Sequence, residues 1–219
     1  MGDLRAGLVA LERSRLRELK VGSVLRACQA VSFLAAGLWI GSASLRADEM
    51  GTFLAAAKDQ IGKTLVYDPQ YTVLAYPGGD VPIELGVCSD VIIRAFRGIG
   101  VDLQMAVHED MRRAWSAYPK QWGLRKPDPN IDHRRVPNLM TFFKRCGKSL
   151  PVSKMPADYL HGDLVTCTVP PHLPHIMIVS DQVSPHDPTR RLIIHNIGQG
   201  ACAEDRLFEF AITGHYRWW

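Results

Sequence analysis

The chain has 219 residues, 47% hydrophobic and 22% charged, proportions that exclude a disordered, collagen-like or coiled-coil chain and suit one domain with a short appendage. Of its 26 Lys and Arg and 22 Asp and Glu, seven and three fall in residues 1–47, which leaves 19 of each in residues 48–219. A neutral body lacks the basic stripe with which nucleic-acid binders displace counterions, so no nucleic-acid partner is expected.

Residues 4–20 are rich in Arg, Glu and Leu and lead into an uncharged, mostly apolar run at 30–40, bounded by Arg26 and Arg46. That run falls short of the roughly 20 residues of a membrane span. It suits the apolar segment of a secretory signal, with Gly41-Ser42-Ala43 as small residues for cleavage. Residues 1–47 therefore read as a signal peptide or uncleaved signal anchor, the only part to meet a membrane, with Cys28 incidental to it. Residues 48–219 read as an exported domain of the periplasm or cell envelope, expected to be a monomer. Export permits disulfides, so Cys88, Cys146, Cys167 and Cys202 can form up to two bridges, and one between two of Cys146, Cys167 and Cys202 is expected.

The first predicted helix runs from Asp48 to Gly62, with Phe53, Leu54, Ala57 and Ile61 on its apolar face. Residues 64–86 form a turn-rich loop whose length points to function. A second helix covers Val87 to Phe96, a third runs from Leu103 to about Trp115, and a fourth from Val136 to Cys146. Beyond Pro156 the period becomes strand-like. The runs Asp163–Thr168, His175–Ser180 and Arg191–His195 read as consecutive antiparallel strands. Helices first and a meander second define an α+β domain, its helices packed on one antiparallel sheet.

Cys88 opens the second helix, where unpaired N–H groups and the helix dipole favour a thiolate. His175 begins a strand and His195, followed by Asn196, ends the next, so His195 or Asn196 can orient His175 as the third member of a nucleophile–base–orienter set. The sulfur and the nearer ring nitrogen of His175 are then expected within about 4 Å. Cys88, His175 and His195 are also zinc-ligand types, but they lack the closely spaced ligand pair of structural zinc sites. No metal and no cofactor are expected. His108 and His215 read as structural histidines.

The segments Gly162-Asp163-Leu164-Val165, His175-Ile176-Met177-Ile178-Val179 and Ile193-Ile194-His195-Asn196 resemble the core signature of NlpC-type cysteine peptidases. More specifically, the chain is similar to the bacterial domain of unknown function 1287 family, of the same papain-like superfamily. This likeness is carried by Tyr76-Pro77-Gly78-Gly79-Asp80-Val81-Pro82, Gly86-Val87-Cys88-Ser89-Asp90, His108-Glu109-Asp110-Met111, Asn130-Ile131-Asp132-His133-Arg134, His195-Asn196-Ile197-Gly198 and Thr213-Gly214-His215-Tyr216-Arg217. The resemblance implies a papain-like, NlpC-like fold and hydrolysis of an amide bond, with peptidoglycan stem peptides or another peptide as substrate. Cys88 attacks, His175 moves the proton and His195 orients it, Asn196 being the alternative third residue. Acyl transfer by the same thioester is equally compatible, and a non-catalytic cell-wall peptide-binding module is the competing reading.

Two departures from the NlpC-type pattern stand out. Val87 replaces an aspartate found before the cysteine in many NlpC-type enzymes, and Cys88 and His175 lie 87 residues apart because of an inserted region at about 102–160. The insertion is expected to border the Cys88 cleft, with Tyr76, Asp90, Asp132, His133 and Arg134 binding substrate. Arg134 would grip a substrate carboxylate or, on the opposing reading, form a salt bridge with a structural acid.

Overall fold

The computed structural model describes residues 40–219. Residues 1–39, with Cys28 and all but the last residue of the apolar run, lie outside them, whereas residues 40–47 of the expected signal segment are helical and continuous with the first helix, which therefore starts ahead of Asp48. No helix among the described residues is long and apolar enough to cross a membrane. The architecture is mixed α+β. Helices α1 (Ile40–Lys58), α2 (Cys88–Gly98), α3 (Leu103–Arg113) and α4 (Val136–Arg145) precede all of a six-stranded antiparallel sheet. Its strands are β3 (Ser149–Leu150), β4 (Leu164–Val169), β5 (Leu173–Val183), β6 (Arg191–Asn196), β7 (Ala201–Glu204) and β8 (Ala211–Tyr216), in the spatial order β3-β8-β4-β5-β6-β7. A two-residue parallel bridge, β1 (Val66–Tyr67) with β2 (Leu85–Gly86), closes the loop ahead of α2.

The meander β4-β5-β6 forms as expected, each strand reaching slightly beyond its apolar run. The last strand, β8, returns to pair with β4 on the far side from β5. The first helix ends at Lys58, four residues early, and Ile61 falls in the following turns, 40% exposed, instead of on the buried face.

Strand alternation gives the sheet two unlike faces. Leu164, Ile176, Ile178 and Ile194 point to the helices and join one core with Phe53, Val91, Ile92, Phe96, Leu139 and Phe143. Aromatic edges knit that side together: Phe53 meets Phe96 at 5.0 Å between ring centres, and Phe96 meets Trp218 at 5.1 Å. Val165, Cys167, Met177, Val179 and Ile193 point the other way, into a smaller core under Tyr159 and Leu207. Helix α2 is buried along Cys88–Phe96. Its buried polar members are Ser89, Asp90 and Arg94, and the Arg94 guanidinium binds Asp80 at 3.0 Å and the carbonyls of Val81 and Leu85 at 3.1 and 3.0 Å, pinning the loop that leads to Cys88.

Candidate functional site

Cys88 is the first residue of α2, and Val87 caps the helix through its backbone N–H, which donates to Asp90 at 2.7 Å. The thiol is free and 3% exposed. The backbone N–H of Ile176, the residue after His175, points at its sulfur, together with the N–H groups of Ser89 and Cys88. Burial outweighs all three and pushes the thiol up to about 11. The expectation of a resting thiolate therefore fails: a helix N-terminus cannot offset the loss of water around a fully enclosed sulfur. The Tyr67 hydroxyl also faces this sulfur, and burial with that neighbour raises it to about 12.

His175 and His195 come together. Nε2 of His175 lies 2.9 Å from Nδ1 of His195, and Nε2 of His195 lies 3.1 Å from Oε2 of Glu204. Both histidines are buried, at 4% and 1% exposure. Burial, then His195 and Arg206, lowers His175 to about 3; burial also lowers His195, against the pull of Glu204. Both rings are neutral near pH 7, so their tautomers follow from the chain's end. A carboxylate only accepts, so His195 carries its proton on Nε2 and offers the Nδ1 lone pair. His175 must then donate from Nε2, which leaves its Nδ1 as an open lone pair, the state required of a base. Among the described residues the hydrogen bonds of the His175 ring run to His195 and not to Cys88, so the expected sulfur–imidazole hydrogen bond is not formed.

Strand register assembles this chain. His195 pairs directly with Cys202, and Glu204 lies two residues along the same face of β7. Gly200, at φ +88°, turns the hairpin so closely against residue 64 that a Cβ there would meet the Thr64 carbonyl at 2.5 Å. Ala201 N–H donates to that carbonyl at 2.8 Å. Asn196, the alternative third residue, does not orient His175. It points to the other side and donates to the Gly86 carbonyl at 3.0 Å, clamping the segment before Cys88.

The insertion meets α2 beside Cys88: Ser89 Oγ donates to the Arg134 carbonyl at 2.7 Å. Arg134 itself is buried and donates to both oxygens of Asp90 at 2.9 and 2.8 Å and to the carbonyls of Gln70 and Asp68 at 3.2 and 3.1 Å. The structural-acid alternative thus describes this arginine, with Asp90 as the acid, and neither side chain is left for a substrate carboxylate. Asp132 is occupied by the Asp128 N–H at 2.6 Å and by Arg135 at 3.1 Å. His133 is buried and held down to about 3 by burial first and then by Arg134 and Arg97. Tyr76 is exposed and donates to Glu109 at 3.3 Å.

Of the disulfide expectation only the pairing fails: Cys146 is disulfide-bonded, but Cys167 and Cys202 are free, so no bridge joins two of Cys146, Cys167 and Cys202. His215 is structural as expected, with Nε2 2.7 Å from Asp163. His108 stacks edge-on against Tyr76, but its Nδ1 is buried without a partner. One group among the described residues has the composition and closeness of a metal site: His195, Cys202 and Glu204. Glu204, Cys202 and Tyr67 escaped sequence reasoning. The available signal was the alternation Cys202-x-Glu204, opposite His195.

Fold and site together define a mixed α+β protein with a free cysteine at a buried helix N-terminus and a His-His-Glu chain on the adjoining sheet. The chain belongs to the domain of unknown function 1287 family, whose model matches residues 54–218. It is 56% identical over 162 residues to Uncharacterized protein YijF of Escherichia coli (strain K12), covering 74% of this chain and 78% of that one.

Proposed function

We propose that this protein is an exported cysteine hydrolase of the NlpC-like superfamily that cleaves an amide bond, in peptidoglycan stem peptides. The observation that carries the reading is the His175–His195–Glu204 chain, which ends in an open Nδ1 beside the strand residue whose N–H faces Cys88. A purely structural histidine pair has no need for a tautomer relay ending in a free lone pair. The substrate class rests on the family resemblance, and export on the apolar run at 30–40.

Because thiol and imidazole both rest neutral, the base acts as attack occurs. His175 Nδ1 takes the Cys88 proton while the sulfur bonds to the carbonyl carbon, and the Cys88 N–H supports the oxyanion. The imidazolium returns that proton to the leaving amine as the C–N bond breaks. Water, deprotonated by His175, then cleaves the thioester and restores the thiol. Glu204 stabilises the transient charge through His195.

The test is incubation of the purified protein with peptidoglycan fragments, followed by mass spectrometry. New amine and carboxylate termini that vanish in Cys88→Ala support the reading. Intact fragments that nevertheless bind would replace it with the cell-wall binding module.

A further inference from the structure

Ligand-type side chains on β6 and β7 converge on one small volume. A ring nitrogen of His195, the sulfur of Cys202 and a carboxylate oxygen of Glu204 all lie within 4.8 Å of one another, and Nε2 is the ring nitrogen 3.1 Å from Glu204. His195 and Cys202 are direct cross-strand partners and Glu204 follows on the same face, so backbone pairing fixes all three. His195 is buried, whereas Cys202 and Glu204 are partly exposed, which leaves the outer side open to solvent. Zinc–ligand bonds of about 2.0–2.3 Å imply ligand atoms about 3.3–3.8 Å apart, so closing the site takes side-chain shifts on the order of 1 Å. His195 also has its other ring nitrogen engaged, the outer contact that metal-bound histidines ordinarily carry.

We propose that His195, Cys202 and Glu204 form a site for a thiophilic divalent cation of the Zn2+ type, with water as fourth ligand, and that filling it switches His175 off as a base. Imidazole, thiolate and carboxylate together select such a cation over Mg2+ or Ca2+. Binding releases the Cys202 thiol proton to solvent. It also displaces Arg206 from Glu204, where it sits at 3.3 Å; Arg206 keeps its second partner, Glu209.

The consequence for His175 follows from the tautomers. A metal on Nε2 of His195 forces that ring's proton onto Nδ1, which then donates to Nε2 of His175. Neutral His175 must carry its own proton on Nδ1, and the lone pair that would receive the Cys88 proton is gone. The site itself stands on β6 and β7 alone; its effect on His175 rests on the catalytic reading.

The full chain, stripped with a chelator, is titrated with Zn2+ against a competing indicator and with Co2+ by near-ultraviolet absorption. The expected result is one bound equivalent and a thiolate-to-cobalt charge-transfer band. Cys202→Ser should abolish the band and weaken Zn2+ binding by more than about tenfold, and Cys88→Ala should leave both unchanged. Absence of binding, or binding indifferent to Cys202→Ser, overturns the site. Long-range proton–nitrogen NMR then reads the His175 tautomer. A proton moving from Nε2 to Nδ1 on Zn2+ addition supports the switch, and an unmoved proton overturns it. Should Zn2+ bind and move that proton in a protein that cleaves nothing, the catalytic reading fails and the metal site stands.

Discussion

The sheet holds two buried histidine networks that differ in how they end. Near the start of β4, Asp163 is fully enclosed and accepts from His215 at 2.7 Å, from Arg217 at 2.7 Å on each oxygen and from the Leu160 N–H at 2.8 Å. His215 leans on Tyr159 at 4.4 Å between ring centres, and its Nδ1 reaches the Pro151 carbonyl at 3.3 Å. Every strong group there has a partner, so that network closes on itself. The His175–His195–Glu204 chain is anchored at its outer end by a partly exposed carboxylate and ends at a His175 ring nitrogen outside these hydrogen bonds. Closure marks a network that holds a fold together; an open end leaves a nitrogen able to accept a proton.

The contrast sharpens into separable outcomes. His175→Ala should cut turnover by at least about 10^3-fold while the far-UV circular dichroism stays native. Comparable activity in the variant would erase the difference between the networks. On the closed side, Asp163→Asn leaves Arg217 and His215 around a lost charge and should cost about 3–5 kcal/mol in urea unfolding. Arg134→Ala, which strands Asp90 in the same way, belongs in that range, and folded protein that survives should show an unchanged KM. Glu204→Ala should lower kcat by about 10–100-fold through loss of the preferred His195 tautomer, with KM steady and an unfolding midpoint near that of the parent. An equal drop in stability would make Glu204 a structural group.

The smallest effect is one of pH. Although burial opposes it, hydrogen bonds from Arg217 and His215 hold the Asp163 carboxyl below its ordinary value. The folded state therefore binds fewer protons than the unfolded one as pH falls through the carboxylate range. Asp163 contributes its full stabilisation above the unfolded value of about 3.9 and loses it as pH drops toward the depressed folded value. The stability gap between the parent and Asp163→Asn should stay level from about pH 5 to 7 and shrink below about pH 4. A gap that widens on acidification would contradict the assignment.

The helices and the meander were legible because their signals are local. Helix α2 repeats apolar residues at helical spacing, and β4 to β6 are continuous apolar runs. Strands β7 and β8 were not, since Ala201-Cys202-Ala203-Glu204 is too short to establish a period and Gly214 interrupts the other. Cys88, His175 and His195 could be found from residue type at element boundaries, but Glu204 becomes visible only when β7 is placed beside β6. The polar, proline-bounded Asn130–Arg135 stretch carries no pattern of a core segment. Its charges are buried because Asp90, 44 residues away, neutralises Arg134, a long-range pairing that composition cannot disclose.

Asn196 gives the end of β6 a second meaning. One residue apart on a pleated strand, His195 and Asn196 point to opposite sides, the first to His175 and the second to the Gly86 carbonyl ahead of Cys88. A slip of β6 by a single position would exchange them, aiming an amide at His175 and an imidazole at the helix side. The dipeptide therefore works as an alignment key: the strand can lock the cysteine segment in place only in the register that also joins His195 to His175 and Glu204.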